Sequence, residues 1–90
     1  MYENIAWRLR LSPQELERES LMLFLRHQLR LVESQILGLA RKYGVQTITE
    51  LDELVQSGQV HEAQAFEDYF EFDHLEAERD ALLESLQELA

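Results

Sequence analysis

The amino-acid sequence predicts an all-α fold, a long antiparallel helical hairpin with a short connecting helix. Apolar residues recur at helical spacing over two long segments, capping residues mark helix starts, and glycines mark helix ends. We expect residues 1–11 to form an N-terminal arm and residues 12–90 to form a single helical domain. The helices are predicted at about 13–43, 48–57 and 62–90.

The first long helix has a well-defined start. Ser12 is a preferred N-cap residue, Pro13 suits the first helical position, and Glu15 can reach back to the cap. Apolar residues then alternate at spacings of three and four up to Gly44, a residue that favours the left-handed conformation found at helix ends. This spacing predicts a heptad seam formed by Met22, Leu25, Leu29, Val32, Ile36, Leu39 and Tyr43.

The final helix carries apolar residues on two different sides. It is expected to start near His61 or Glu62, after a connecting helix that opens with a capping box at 47–50 and ends at Gly58. Two sides predict two neighbours, one of which is the first long helix. A helix break at Asp73 is an open alternative. The earlier side consists of Ala63, Phe66, Phe70, Ala77 and Ala81, and the later side of Leu75, Leu82, Leu86 and Leu89, flanked by Phe72 and Leu83.

The first long helix has more apolar surface than one antiparallel neighbour covers. Two such hairpins would form a four-helix bundle, so we expect a homodimer. Alternatively, the N-terminal arm covers this surface within a monomer through Ile5, Trp7 and Leu9. The surplus residues are Leu16, Leu23 and Leu37 on one flank and Phe24 and Leu31 on the other.

Composition and charge narrow the class of protein. The 90 residues carry a formal charge of −10 and no cysteine, which excludes disulfides and thiolate metal sites. The longest apolar run, residues 21–25, is far shorter than a membrane span, and the first residues lack a secretory signal pattern. We therefore expect a cytoplasmic protein that does not enter the membrane. Residues 62–90 hold ten carboxylates and one cation, a distribution that repels nucleic acid and attracts basic partners.

A metal site is one hypothesis for the function. Glu71 and His74 have the Glu-x-x-His spacing found in carboxylate-bridged di-iron bundles, and Glu33 lies midway along the facing helix. Two copies would then bring four helices together around these ligands. The alternative is that these charges only border the core, and in that case the chain needs no cofactor.

A nucleic-acid site is a second hypothesis. Residues 5–11 alternate apolar with small or basic side chains, as a half-buried strand does. This pattern is similar to the strand and first helix of ribbon-helix-helix repressors, and Arg8 and Arg10 would then contact the bases. The unbroken helical pattern up to Gly44 argues against that fold, and an amphipathic turn of helix fits the same residues equally well.

A protein-binding surface is a third hypothesis. Aromatic rings supply buried contact area, and carboxylates around them steer a basic partner. The alternative is that the rings form the core of the chain itself. The predicted contact residues are Phe66, Tyr69, Phe70 and Phe72, together with Glu67, Asp68 and Asp73.

No catalytic arrangement is visible in the sequence. His27, His61 and His74 fall on different predicted elements, and there is no glycine-rich phosphate loop or nucleophile motif. We therefore do not expect an enzyme.

Two stretches together resemble a known group of proteins. Lys42-Tyr43-Gly44-Val45 precedes a Glu-rich connector, and residues 67–76 have the form Glu-Asp, two apolar residues, Glu, aromatic, acid, any residue, Leu-Glu. These stretches resemble small acidic all-helical proteins of archaea and cyanobacteria that are regarded as antitoxin-like halves of toxin–antitoxin pairs. The resemblance covers residues 12–90 and implies a non-enzymatic protein that binds a basic, nuclease-like partner. We predict an antitoxin-like small regulator; a metal-binding helical-bundle dimer and a self-assembling structural protein are the alternatives.

Overall fold

The computed structural model of the chain describes residues 2–60 and 62–90. This part of the chain contains four α-helices and no β-strand: α1 (Tyr2–Arg8), α2 (Pro13–Tyr43), α3 (Ile48–Gln56) and α4 (Glu62–Leu89). The predicted all-α fold is confirmed. His61, one of the two expected starts of the final helix, lies outside the described residues.

Local capping chemistry sets both ends of α2. The Ser12 hydroxyl accepts a hydrogen bond from the Glu15 N–H at 3.0 Å, which satisfies one of the free donors at the helix start. At the other end Gly44 has a left-handed φ of 67°, and the Val45 N–H donates to the Ala40 carbonyl oxygen at 2.9 Å. Glycine suits this position because it has no Cβ to clash in the left-handed conformation.

Residues 2–8 of the N-terminal arm form a helix, so the interpretation of the arm as a strand is wrong. After α1 the chain turns at Arg10, whose φ is 59°, and the Leu11 N–H donates to the Ala6 carbonyl oxygen at 2.9 Å. Ala6 is only 1% exposed, and α1 packs against α2. Apolar–polar alternation over so few residues fits a strand or a helix, and this hydrogen-bonded turn stabilises the helix.

The two long helices form the hairpin, and α3 adds a third layer at one end. Lys42 near the end of α2 contacts Asp68 near the start of α4, so the two helices are antiparallel. The Ile48 N–H at the start of α3 donates to a Glu76 carboxylate oxygen on α4 at 3.4 Å, which holds α3 against α4. The core here consists of Ala40, Val45, Leu51, Val55, Ala65 and Phe72.

This third layer divides the hairpin into two unlike parts. We call residues 36–76 the connector half, and residues 13–35 with residues 77–89 the open half. In the open half, Val32 is buried. The other buried apolar residues that the structure describes in α2, α3 and α4 all lie in the connector half. The whole chain is long and thin, with extents of 60 × 18 × 17 Å.

The final helix presents one continuous seam to the rest of the chain. α4 continues unbroken through Asp73. Ala65 and Phe72 are buried and extend the later, leucine-rich side back to the start of the helix. The buried and half-buried seam positions are Ala65, Asp68, Phe72, Leu75, Arg79, Leu82, Leu86 and Leu89, whereas the earlier side, Ala63, Phe66, Phe70, Ala77 and Ala81, is exposed.

Candidate protein-interaction surfaces

An aromatic patch lies on the outer side of α4 in the connector half. We define it as Phe66 and Phe70, whose side chains are 46% and 66% exposed. They lie four residues apart, so they are neighbours on one side of the helix. The Phe70 ring also meets the Tyr69 ring edge-on, with ring centroids 5.6 Å apart. Tyr69 is half-buried and packs against the core, so it anchors the patch to the fold.

Two residues predicted to contact a partner belong to the fold instead. Phe72 is fully buried in the connector-half core, so its assignment to a binding surface is wrong. Asp68 is half-buried and accepts hydrogen bonds from within the chain, so it is not a free surface carboxylate. The other predicted carboxylates, Glu67 and Asp73, are exposed.

Asp68 joins the two long helices through a small hydrogen-bonded cluster. The Lys42 Nζ donates to an Asp68 carboxylate oxygen at 2.6 Å, and the Tyr43 hydroxyl donates to the same oxygen. These two hydrogen bonds, first that from Lys42, hold the pKa of Asp68 below its usual value. Burial, assisted by the hydrogen bond to Asp68, raises the pKa of Tyr43 to about 12. The cluster therefore fixes an ionised carboxylate and a protonated phenol against each other at the end of α2.

The predicted seam residues lie between the helices, but they are covered to different degrees in the two halves. Phe72 and Leu75 on α4 are buried in the connector half. In the open half Val32 is buried, but the other seam residues are only half-buried, because α3 packs on the connector half. The buried or half-buried seam residues are Met22, Leu25, Leu29, Val32, Ile36, Leu39 and Tyr43 on α2, and Leu75, Leu82, Leu86 and Leu89 on α4.

The outer side of α2 and the N-terminal arm expose further large apolar side chains. Leu23 and Phe24 are 65% and 59% exposed. The N-terminal arm does not cover them, so the alternative in which the arm covers this apolar surface within one chain is wrong. α1 and the turn after it add exposed apolar surface of their own, since Trp7 is 84% exposed and Leu9 is 57% exposed. Ile5, Leu21, Leu31, Leu37 and Leu83 are also exposed.

The predicted metal ligands do not form a site within one chain. Glu33, Glu71 and His74 are all exposed. Among the side chains that the structure describes, there is no group of three or more histidine, aspartate or glutamate residues placed to hold a metal ion. A site built from two copies of the chain stays a prediction.

The predicted nucleic-acid contacts, Arg8 and Arg10, lie at the corner between α1 and α2. Both are exposed and line an open cleft of about 790 Å³ together with Trp7 and residues 11–13. Because the arm is a helix, it does not provide the paired strand from which ribbon-helix-helix proteins contact DNA. The residues that line this cleft include two arginines and no carboxylate, so the lining is basic although the chain as a whole is acidic.

Sequence patterns did not reveal the polar members of the α4 seam. Asp68 and Arg79 occupy heptad positions, but charged residues contribute nothing to an apolar stripe. Ala65 was missed because alanine is common on either side of a helix. These residues could have been found from their spacing alone. Ala65, Phe72, Arg79 and Leu86 recur every seven residues, and this repeat marks one side of the helix whatever the residue types are.

The described helices also bear on membrane insertion. None of them combines the length and the apolar character that a membrane crossing requires.

The fold and the exposed surfaces define an all-α helical-hairpin protein with apolar side chains on the outer sides of both long helices. The full chain, residues 1–90, matches the family described as the uncharacterized protein MJ0235 family, and it belongs to that family. No curated protein and no solved structure matches the chain.

Proposed function

We propose that this chain is a non-enzymatic, antitoxin-like small regulator that binds a basic partner protein in the cytoplasm through the aromatic patch of α4. The observation that carries the proposal is the exposure of Phe66 and Phe70, at 46% and 66%. Aromatic side chains on a surface are the residues that most often dominate the energy of a protein interface. These two rings project from a well-packed helix, so ordering them on binding would cost little conformational entropy.

Charge supports a basic partner rather than an acidic one. Glu67 and Glu71 are exposed beside the aromatic patch. The described residues provide neither of them with a hydrogen bond or an ion pair. A partner with lysines and arginines around an apolar groove would pair with these carboxylates and bury the rings. Such charges increase the rate of association more than the final affinity.

We further propose that the chain acts as a homodimer. Both long helices expose apolar side chains that the chain itself does not cover, including Leu23 and Phe24 on α2. These residues lie in the open half, away from the aromatic patch. One surface can therefore hold the second copy while the other remains available for the basic partner.

Co-expression with the product of the adjoining gene tests the partner proposal. We expect a basic gene product to co-purify with the tagged chain, and the complex to weaken as ionic strength rises from about 0.1 M to 1 M. The double substitution Phe66→Ser with Phe70→Ser should abolish the complex. Leu37→Ser is the matched control, because Leu37 is 49% exposed but lies on α2. Equal retention of the partner by all three proteins would contradict the assignment of the patch.

A further inference from the structure

The open half of the hairpin lacks the third layer that covers the connector half. In the connector half, α3 packs against α4, and its Leu51 and Val55 share a buried core with Ala40 of α2 and with α4. In the open half, the seam residues other than Val32 are half-buried. The outer residues Leu23, Phe24 and Leu31 are 65%, 59% and 48% exposed. Exposed apolar side chains are concentrated here and on the adjoining arm, whereas the connector half exposes Leu37, Phe66 and Phe70.

The accessible surface area of the chain is larger than that of a compact monomer, and the excess is large enough for an interface with a second copy. Its accessible surface is 6862 Å², whereas a compact monomer of 10.6 kDa has about 5,500 Å². The radius of gyration is 18.7 Å, against about 12 Å for a compact domain of this length. The excess of about 1,400 Å² exceeds the roughly 800 Å² that each partner buries in a standard interface.

The charges of the two halves favour one way of placing a second copy. The connector half carries two cations and nine carboxylates, a net charge of −7. The open half together with residues 1–12 carries six cations and nine carboxylates, a net charge of −3. A parallel dimer would place the two strongly acidic connector halves side by side, where like charges repel. An antiparallel dimer brings together the halves with the lower charge and keeps the acidic halves apart.

We infer that two copies associate through their open halves, antiparallel, so that each open half supplies the layer that the other lacks and the two connector halves point in opposite directions. This inference rests on the homodimer proposed above and specifies its geometry. Four helices then surround a shared core where the two open halves overlap. Within each connector half, α3 covers the core instead. The two aromatic patches lie at the far ends of the assembly, so one dimer presents two separate sites for basic partners.

The distance between the two copies of α3 tests the arrangement. The chain has no cysteine, so Glu53→Cys on the exposed side of α3 places one spin label per protomer. At 1.5 Å per residue, the antiparallel arrangement separates the two labels by about 50 Å. A parallel dimer would place them within about 30 Å of each other, because neighbouring helices pack 8–10 Å apart. A distance in the shorter range would overturn the inference while leaving the homodimer intact.

Sedimentation measurements test which surface is used. Leu23→Glu with Phe24→Glu should weaken dimerisation at least tenfold, because it places charges in the shared core. The matched control is Phe66→Glu with Phe70→Glu, which adds the same charge to another exposed apolar pair and should leave the dimer unchanged. Helicity of each variant confirms that the monomer folds. A wild-type chain that stays at 10.6 kDa at all concentrations would overturn both the homodimer and its geometry, whereas the reverse pattern of the two variants would overturn the open-half interface.

Discussion

Phe70 and Phe72 lie two residues apart in α4, yet one side chain is 66% exposed and the other is fully buried. Truncation therefore has different consequences at the two positions. Phe72→Ala should lower the free energy of unfolding by about 3–5 kcal/mol, because it leaves a cavity in the connector-half core. Phe70→Ala should change it by no more than about 0.5 kcal/mol. Urea unfolding of both variants at a concentration where the chain is monomeric measures the difference, and similar losses would place Phe70 in a core as well.

The pKa of Asp68 makes the stability of the hairpin depend on acid pH. Its pKa in the folded chain lies below the ordinary value of 3.8, so the unfolded chain binds a proton more readily. The stabilisation from Asp68 is present above about pH 3.8 and is lost as the pH falls through the folded value. Asp68→Asn should remove this part of the pH dependence of unfolding. Asp73→Asn, which removes an exposed carboxylate from the same helix, is the control for the loss of one negative charge.

Tyr43 gives the opposite dependence at alkaline pH. The pKa of Tyr43 is raised from 10.0 to about 12, chiefly by burial and then by the Asp68 carboxylate that accepts its hydrogen bond. Because the folded chain holds this proton more tightly, the associated stability is present below about pH 10 and is lost as the pH rises through about 12. Ultraviolet titration should show a late-ionising phenol that is lost in Tyr43→Phe. If the absorbance change lost in this variant develops near pH 10 in the wild-type chain, the assignment to Tyr43 is contradicted.

Two glycines, one inside α2 and one directly after it, show how backbone conformation sets the end of this helix. Gly44→Ala should cost about 1–2 kcal/mol, because φ is 67° there and a Cβ disfavours the left-handed conformation. Gly38 lies inside the same helix, and a Cβ added there would meet nothing within 4 Å, so Gly38→Ala should stabilise the chain by about 0.5–1 kcal/mol. Thermal unfolding of the two variants therefore shifts in opposite directions. Equal shifts would indicate that the left-handed turn is not maintained.

Elements that depend on local chemistry could be read from the sequence, and those that depend on distant contacts could not. The start of α2 at Pro13 and its end before Gly44 follow from a cap and a turn that neighbouring residues make. The place of Asp68 in the α4 seam depends on Lys42 and Tyr43, which lie 26 and 25 residues away along the chain. Residues 2–8 are too few for their alternation to distinguish a strand from a helix.

At the scale of the whole molecule, the sequence predicted surplus apolar surface but not its distribution. The periodicity of α2 is uniform along its length, so it does not show that α3 covers only one half. The coverage depends on where the chain turns back at Gly44 and on the hydrogen bond between the Ile48 N–H and Glu76. The same reasoning applies to the candidate site. Phe66, Phe70 and Phe72 lie in one acidic stretch, and helical spacing places Phe72 on a different side of α4 from the other two. The packing of α4 on its neighbours then shows which of the two sides is buried.

This uneven coverage predicts uneven protection of backbone amides from hydrogen exchange. At low protein concentration, amides of residues 65–75 should exchange slowly, because opening that part of α4 exposes the connector-half core. Amides of residues 79–89 should exchange faster, because their side chains are at most half-buried within one chain. Raising the concentration should slow residues 79–89 and the facing part of α2 and leave residues 65–75 nearly unchanged, since association stabilises only the surface it covers. Uniform protection along α4 at low concentration would show that the open half is stable alone, and the driving force for a second copy would then be absent.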